Sequence, residues 1–171
     1  MKLVIFSDVH GRKILLERIL RFNPDADNVI SLGDSELTLD YLSDLDIISV
    51  KGNYPRDPGL AYEHFMTLNG KKFMLTHGHK YSVQRGMKKL ANKAMKDGID
   101  VVLYGHTHIA QALYVNDTLL LNPGSVYSSR NNVYPSYCIM YVSDQGKITY
   151  EFRESETNMV IEIGEVRQQI K

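Results

Sequence analysis

The chain has 171 residues, 43% of them apolar and 23% charged, and its 20 basic and 20 acidic side chains balance to a formal net charge of zero. This composition is ordinary for a globular protein, and the length suits one domain (residues 1–171) able to bury its own core. Charge balance argues against a nucleic-acid partner, and no stretch approaches the roughly 18 consecutive apolar residues of a membrane span.

The opening "MKLVIFSDVH" begins like a signal peptide, but Asp8 and His10 interrupt its short apolar run. The only cysteine, Cys138, cannot form a disulfide within the chain, which suits a reducing compartment. The chain therefore reads as cytoplasmic.

In chain order, "KLVIF" (2–6) reads as a buried strand and "KILLERILRF" (13–22) as a helix with Ile14, Leu15, Ile19 and Phe22 near one face. "VISL" (29–32) is a second strand, "ELTLDYLSDL" (36–45) a helix and "IISV" (47–50) a third strand. This β-α-β-α-β order predicts a parallel sheet with crossover helices. The pattern then changes. "HFMTLNGKKFMLTH" (64–77) is a hairpin around Asn69-Gly70. "VQRGMKKLANKAMKDG" (83–98) is an amphipathic helix with Met87, Leu90, Ala91, Ala94 and Met95 as its apolar stripe and Gly98 as its C-cap. "DVVLY" (100–104) is a strand. Hairpins follow over 112–122, around Asn116-Asp117, and over 137–152, around Asp144-Gln145-Gly146. The tail "MVIEIGEVRQQIK" is a short strand or a frayed end. The expectation is two sheets with outer helices.

Five strand runs end alike: in Ser7-Asp8-Val9-His10, Gly33-Asp34, Lys51-Gly52-Asn53, His77-Gly78-His79 and Gly105-His106-Thr107-His108. Ligands bind at the carboxyl ends of strands in open α/β sheets, so these tails should meet at one edge. Five of the six histidines lie in them. The sixth, His64, sits in a hairpin strand and reads as structural. A lone D-x-H or G-D is ordinary loop punctuation, but five such tails in order are not. Asp, His and Asn together suit Mn²⁺, Fe, Zn²⁺ or Ni²⁺ better than Ca²⁺ or Mg²⁺, and the donors are too many for one tetrahedral ion. They suffice for two, with His106 and His108 on the same side of an extended strand end. Most of the basic run Lys80, Arg85, Lys88, Lys89, Lys93 and Lys96 reads as the solvated face of the 83–97 helix.

The order D-x-H, G-D, G-N, H, G-H-x-H resembles that of the calcineurin-like metallophosphoesterases, and "LLNPGSV" (120–126) resembles an element of their small, YfcE-like phosphodiesterase branch. The resemblance implies a four-layer α/β/β/α sandwich of two mixed β-sheets flanked by helices. It implies two divalent transition-metal ions, Mn²⁺ foremost. Carried over by motif, Asp8, His10 and His108 bind one ion, Asn53, His77 and His106 the other, and Asp34 bridges them. It further implies in-line attack on phosphorus by a hydroxide shared by the ions, with the Asn53 amide helping to hold the phosphoryl oxygens. Many relatives carry histidine after G-N as proton donor to the leaving group. Here Tyr54 stands there, which leaves His79 as the first candidate, with orientation of a neighbouring ligand as its other role. Tyr54, Asp57 and Arg130 are candidate substrate contacts, and Asn122 and Ser125 shape the "NPGS" loop. The expected substrate is a small phosphodiester. The rivals are phosphomonoesterase or nucleotide pyrophosphohydrolase activity on the same fold, and a non-catalytic scaffold such as the small retromer subunit. A homo-oligomer is compatible with all of these.

Overall fold

The structure is a computed structural model that describes residues 1–54, 59–130 and 134–165; of Glu165 only the backbone is described. Two sheets form its centre. The first takes β1 (Lys2–Phe6), β2 (Asn28–Ser31), β3 (Ile47–Ser49), β9 (Ser136–Val142), β10 (Ile148–Glu154) and β11 (Val160–Glu165) in the order β11-β10-β9-β1-β2-β3. The second takes β4 (Glu63–Leu68), β5 (Lys71–Thr76), β6 (Val101–Tyr104), β7 (Ala110–Val115) and β8 (Thr118–Pro123) in the order β4-β5-β6-β8-β7. Both are mixed. β1, β2 and β3 run parallel, as do β5, β6 and β8, while the hairpin partners are antiparallel.

Side-chain alternation sorts the layers. In β1, Leu3 and Ile5 enter the core between the sheets, where they join Phe73, Leu75, Leu103 and Leu121. Val4 and Phe6 face the other way, toward α1 (Lys13–Phe22) and α2 (Leu39–Asp44). On the far side, Met74, Val102 and Leu120 pack under α3 (Lys88–Asp97). The order helix, sheet, sheet, helix is the expected α/β/β/α sandwich. Among the described residues no helix is long and apolar enough to cross a membrane.

Several local expectations change. The buried side of α1 is Leu16 and Ile19, with Ile14 and Phe22 exposed, because the sheet meets the helix about one residue further round than sequence periodicity places it. α2 starts at Leu39 rather than residue 36, with the Thr38 hydroxyl accepting from the Tyr41 N–H as N-cap. The 83–98 segment is not one helix. A single 3₁₀ turn (Val83–Arg85) ends at Gly86, whose φ of 131° no helix accommodates, and α3 follows. Leu90, Ala91 and Ala94 are buried as expected, but Met95 is exposed. The tail is a strand through Glu165. The Asn69-Gly70 turn behaves as its sequence indicates: both residues adopt positive φ between β4 and β5.

Candidate metal centre

The parallel strands aim their carboxyl ends at one place, and backbone hydrogen bonds tie the loops together there. The Asp8 N–H donates to Gly33 O (3.1 Å), the His10 N–H to Asp34 O (3.2 Å) and the Gly105 N–H to His77 O (3.2 Å). The His106 N–H reaches across between the sheets to Asp8 Oδ2 (3.1 Å). Such close loop contact excludes side chains at two positions. A Cβ on Gly52 would lie 1.9 Å from Asp34 Oδ1, and one on Gly105 would lie 2.0 Å from Ser7 Oγ.

The knot is strained. Asp8, His10, Asp34, His106 and His108 all have positive φ, between 48° and 69°. Asp and His enter this region more readily than most residues, yet each such residue costs about 1–3 kcal/mol. Packing that holds five of them there fixes where their side chains point.

The side chains of His10, Asp34, His77 and His108 gather around Asp8, which is fully buried. Its Oδ1 has no hydrogen-bond partner. Around that oxygen stand the Nε2 atoms of His108 at 3.2 Å and of His10 and His77 at 3.9 Å. The other nitrogen of each ring is committed. Nδ1 of His10 meets Glu36 Oε1 (2.7 Å), that of His77 meets Leu32 O (2.7 Å) and that of His108 meets Ser128 O (3.0 Å). A carbonyl or carboxylate oxygen only accepts, so each Nδ1 carries the proton, and a neutral ring must present a lone pair at Nε2. Lone pairs and a carboxylate oxygen facing one another without a donor call for a cation. Asp8 is shared by two close groups of metal-ligating side chains, one with His10 and His108 and one with Asp34 and His77. The donor set thus fits divalent transition metals.

The electrostatics agree. Burial pushes the Asp8 carboxyl up, but the imidazoles of His108 and His77 hold it below the ordinary carboxylate range. Asp34, also buried, falls to about 2 because the His77 imidazole and the Tyr54 N–H (2.8 Å from Oδ1) outweigh its desolvation. His77 is raised: burial lowers it, but Asp34 and Asp8 overcome that. Its Nε2 lies 3.4 Å from Asp34 Oδ2 and 3.1 Å from Asn53 Oδ1. Without metal, a proton on this nitrogen takes the cation's place. His106 falls to about 4 through burial and the charge of His77, which leaves it a free base at neutral pH.

All seven ligand candidates are therefore neighbours, though not equally close. Asp8, rather than Asp34, is common to both close groups. His106 joins neither, with its ring 5.0 Å from that of His77. His79 reaches the site by an unexpected path. Gly78 has φ of 95° and a 3₁₀ turn (His79–Tyr81) begins at His79, so the backbone is not extended there. Its ring still lies 5.4 Å from that of His77, and its buried Nδ1 has no hydrogen-bond partner. Tyr54 contributes its backbone N–H to Asp34. Arg130 is exposed, and its N–H donates to His108 O (3.2 Å). Asp57 lies outside the described residues. His64 is exposed on β4, away from the knot. Asn122 holds the Gly105 carbonyl (2.8 Å) and Ser125 Oγ donates to Asp8 O (2.8 Å), so "NPGS" shapes the ligand loops. Glu36 escapes sequence inspection because it looks like the start of a helix. Its signal was Thr38, a good N-cap that places Glu36 before the helix, two residues after Asp34.

Residues 1–145 match the model of the calcineurin-like phosphoesterase superfamily domain, and the chain belongs to that superfamily. It is 29% identical over 161 residues to "Probable metallophosphoesterase YsnB" of Bacillus subtilis, covering 94% of this chain and 95% of that protein. Its fold matches that of a predicted phosphoesterase of Streptococcus pneumoniae with a TM-score of 0.83 at 26% identity, over 96% of this chain and 97% of the other. A structure described as a novel archaeal phosphodiesterase matches with a TM-score of 0.65 at 26% identity, over 89% and 99% of the two chains. Vps29 of Entamoeba histolytica complexed with Zn²⁺ shares the fold, with a TM-score of 0.79 at 23% identity over 98% and 100%.

Proposed function

We propose that the chain is a cytosolic phosphodiesterase that holds two divalent metal ions, Mn²⁺ foremost, and acts on a small diester substrate. The observation that carries this reading is the buried, unpartnered Asp8 Oδ1 ringed by three Nε2 atoms whose imidazoles are each anchored at Nδ1. In this reading Asp8, His10 and His108 would hold one ion, Asn53, His77 and His106 would hold the other, and Asp34 would serve both. When bound, such ions supply an activated water for in-line attack and Lewis-acid stabilisation of the charge that builds on the phosphoryl oxygens. The chain does the rest. Glu36, Leu32 O and Ser128 O fix ring tautomers. Asn53 is exposed at the mouth; with Oδ1 turned to His77, its NH₂ group is the donor for a phosphoryl oxygen. His79 gives a proton to the departing oxygen, and Tyr54 and Arg130 flank the substrate. The single cysteine, Cys138, is buried and free, which suits the cytosol.

The archaeal phosphodiesterase supports the diester preference. The Zn²⁺ complex of Vps29 supports metal occupancy on this fold and also a second reading, a metal-bearing protein that works by binding partners. Metal content alone does not separate the two, whereas turnover does. A panel of aryl diesters, aryl monoesters and dinucleoside polyphosphates, assayed with and without added Mn²⁺, tests the proposal. Metal-dependent hydrolysis with diesters preferred is the expected result; monoesters preferred would replace the substrate class.

A further inference from the structure

A groove of about 580 Å³ opens beside the His10 end of the metal centre, lined by Arg12, Ile14, Leu15, Tyr127, Pro135 and Glu156. It falls within the ~300–1,000 Å³ of small-molecule clefts. Its place is set by the site itself. Gly11 and Arg12 follow His10 directly, and the Tyr127 ring stands edge-on to the His10 ring at 6.3 Å. Tyr127 immediately precedes Ser128, whose carbonyl anchors His108. The groove therefore adjoins the metal centre through Gly11 and Tyr127.

Its chemistry is selective. The Arg12 guanidinium carbon lies 4.4 Å over the Tyr127 ring, which remains 43% exposed. A planar cation on an aromatic ring is a stacking platform for another flat ring, and guanidinium planes and Tyr faces both stack nucleobases. Ile14, Leu15 and Pro135 give apolar walls. Glu156 adds acceptors suited to sugar hydroxyls or an exocyclic amine. Arg12 also brings a positive charge two residues from His10, beside the place where an anionic phosphoryl group would sit.

From these features we infer that the Arg12–Tyr127 groove binds the base of a nucleoside ester, so that one of the two ester groups of the substrate is a nucleoside. This rests on the phosphodiesterase reading for its catalytic consequence, but not for the binding it describes. The inference therefore has two arms.

In the first, metal-free protein is titrated calorimetrically with adenosine 5′-monophosphate and with ribose 5-phosphate. Stacking of the base should make the nucleotide about tenfold tighter than the sugar phosphate, and Tyr127→Ala and Arg12→Ala should each erase most of that difference. In the second, Mn²⁺-loaded enzyme is given thymidine 5′-(p-nitrophenyl) phosphate and methyl p-nitrophenyl phosphate, which share a leaving group. The ratio of their kcat/KM values should favour the thymidine ester and fall about tenfold in Tyr127→Ala. Equal binding of nucleotide and sugar phosphate would overturn the inference, as would a kcat/KM ratio that the variants leave unmoved. If neither ester turns over while the nucleotide preference survives, the phosphodiesterase reading fails and the groove assignment stands.

Discussion

His10 and His108 turn their Nε2 atoms toward each other at 3.4 Å while each spends its Nδ1 proton elsewhere, on Glu36 and on the Ser128 carbonyl. Two imidazole lone pairs at that separation repel unless something positive lies between them and Asp8. The oxygen partners at Nδ1 thus decide what the facing nitrogens can bind.

Glu36 is the one side chain among those partners. Glu36→Ala should weaken the His10 metal position by about 10–100-fold, the usual loss when the partner of a metal-binding histidine is removed. Glu36→Gln keeps an acceptor oxygen and should recover much of the affinity. Metal titration of both variants, followed by mass spectrometry, checks this. Equal affinity in wild type and Glu36→Ala would show that the hydrogen bond orients nothing.

Asp34 and Asp8 make a second contrast. Asp34 is the proposed bridge, yet Asp8 is the carboxylate common to both close groups. If Asp34 spans both ions, Asp34→Asn should lower occupancy at both and cut turnover more than His10→Ala does. Loss of a single ion in Asp34→Asn, with loss of both in Asp8→Asn, would transfer the bridging role to Asp8.

The folded pKa of His77 is raised above 6.5, so a proton sits on its Nε2 in the metal-free protein at and somewhat above that pH. Metal must displace it. Uptake should therefore release protons near pH 6.5, release should shrink as pH climbs past the raised value, and apparent affinity should rise over the same interval. The sign for stability follows. A raised folded pKa stabilises fully below the unfolded value near 6.5 and loses that contribution as pH rises through the folded one. Metal-free protein should lose thermal stability across that interval, and metal-loaded protein should not. Calorimetry in buffers of different ionisation enthalpy measures the protons, and melting curves measure the stability. Proton release independent of pH would contradict the assignment.

His79 makes a fourth case. Burial and the charge of His77 lower its pKa, which disfavours the protonated form, so any donation depends on the site supplying geometry rather than a ready charge. A p-nitrophenolate leaves without help, whereas an alkoxide needs a proton. His79→Ala should cost far more on alkyl or nucleoside diesters than on bis-p-nitrophenyl phosphate, with metal content intact. An equal loss on both, together with loss of metal, would make His79 an orienting neighbour of His77.

Much of this is written in local sequence. The strands are runs such as "KLVIF" and "VVLY", too apolar to sit anywhere but a doubly covered sheet, and their glycine-bearing ends carry the ligand types in order. What stayed hidden depends on tertiary geometry. The carbonyls of Leu32 and Ser128 have no side-chain signature, so nothing in the sequence marks them as partners of His77 and His108. The turn at Gly78 carries His79 to the site through a left-handed residue, and a Cβ there would lie 3.0 Å from Val83 Cγ2, a closeness set by the tertiary fold. The buried side of α1 depends on where the sheet lies, which periodicity does not encode.

The most direct measurement combines metal content with turnover. Purified protein is stripped with chelator, reloaded with Mn²⁺, counted for bound metal and assayed on bis-p-nitrophenyl phosphate, with Asp8→Asn in parallel. The expected result is two ions per chain in the wild type, activity abolished by stripping and restored by Mn²⁺, and neither full metal content nor activity in Asp8→Asn. Diester turnover that survives stripping, or a wild type that takes up no metal, would contradict the claim that Asp8 and its ring of imidazoles form a metal centre that hydrolyses phosphodiesters.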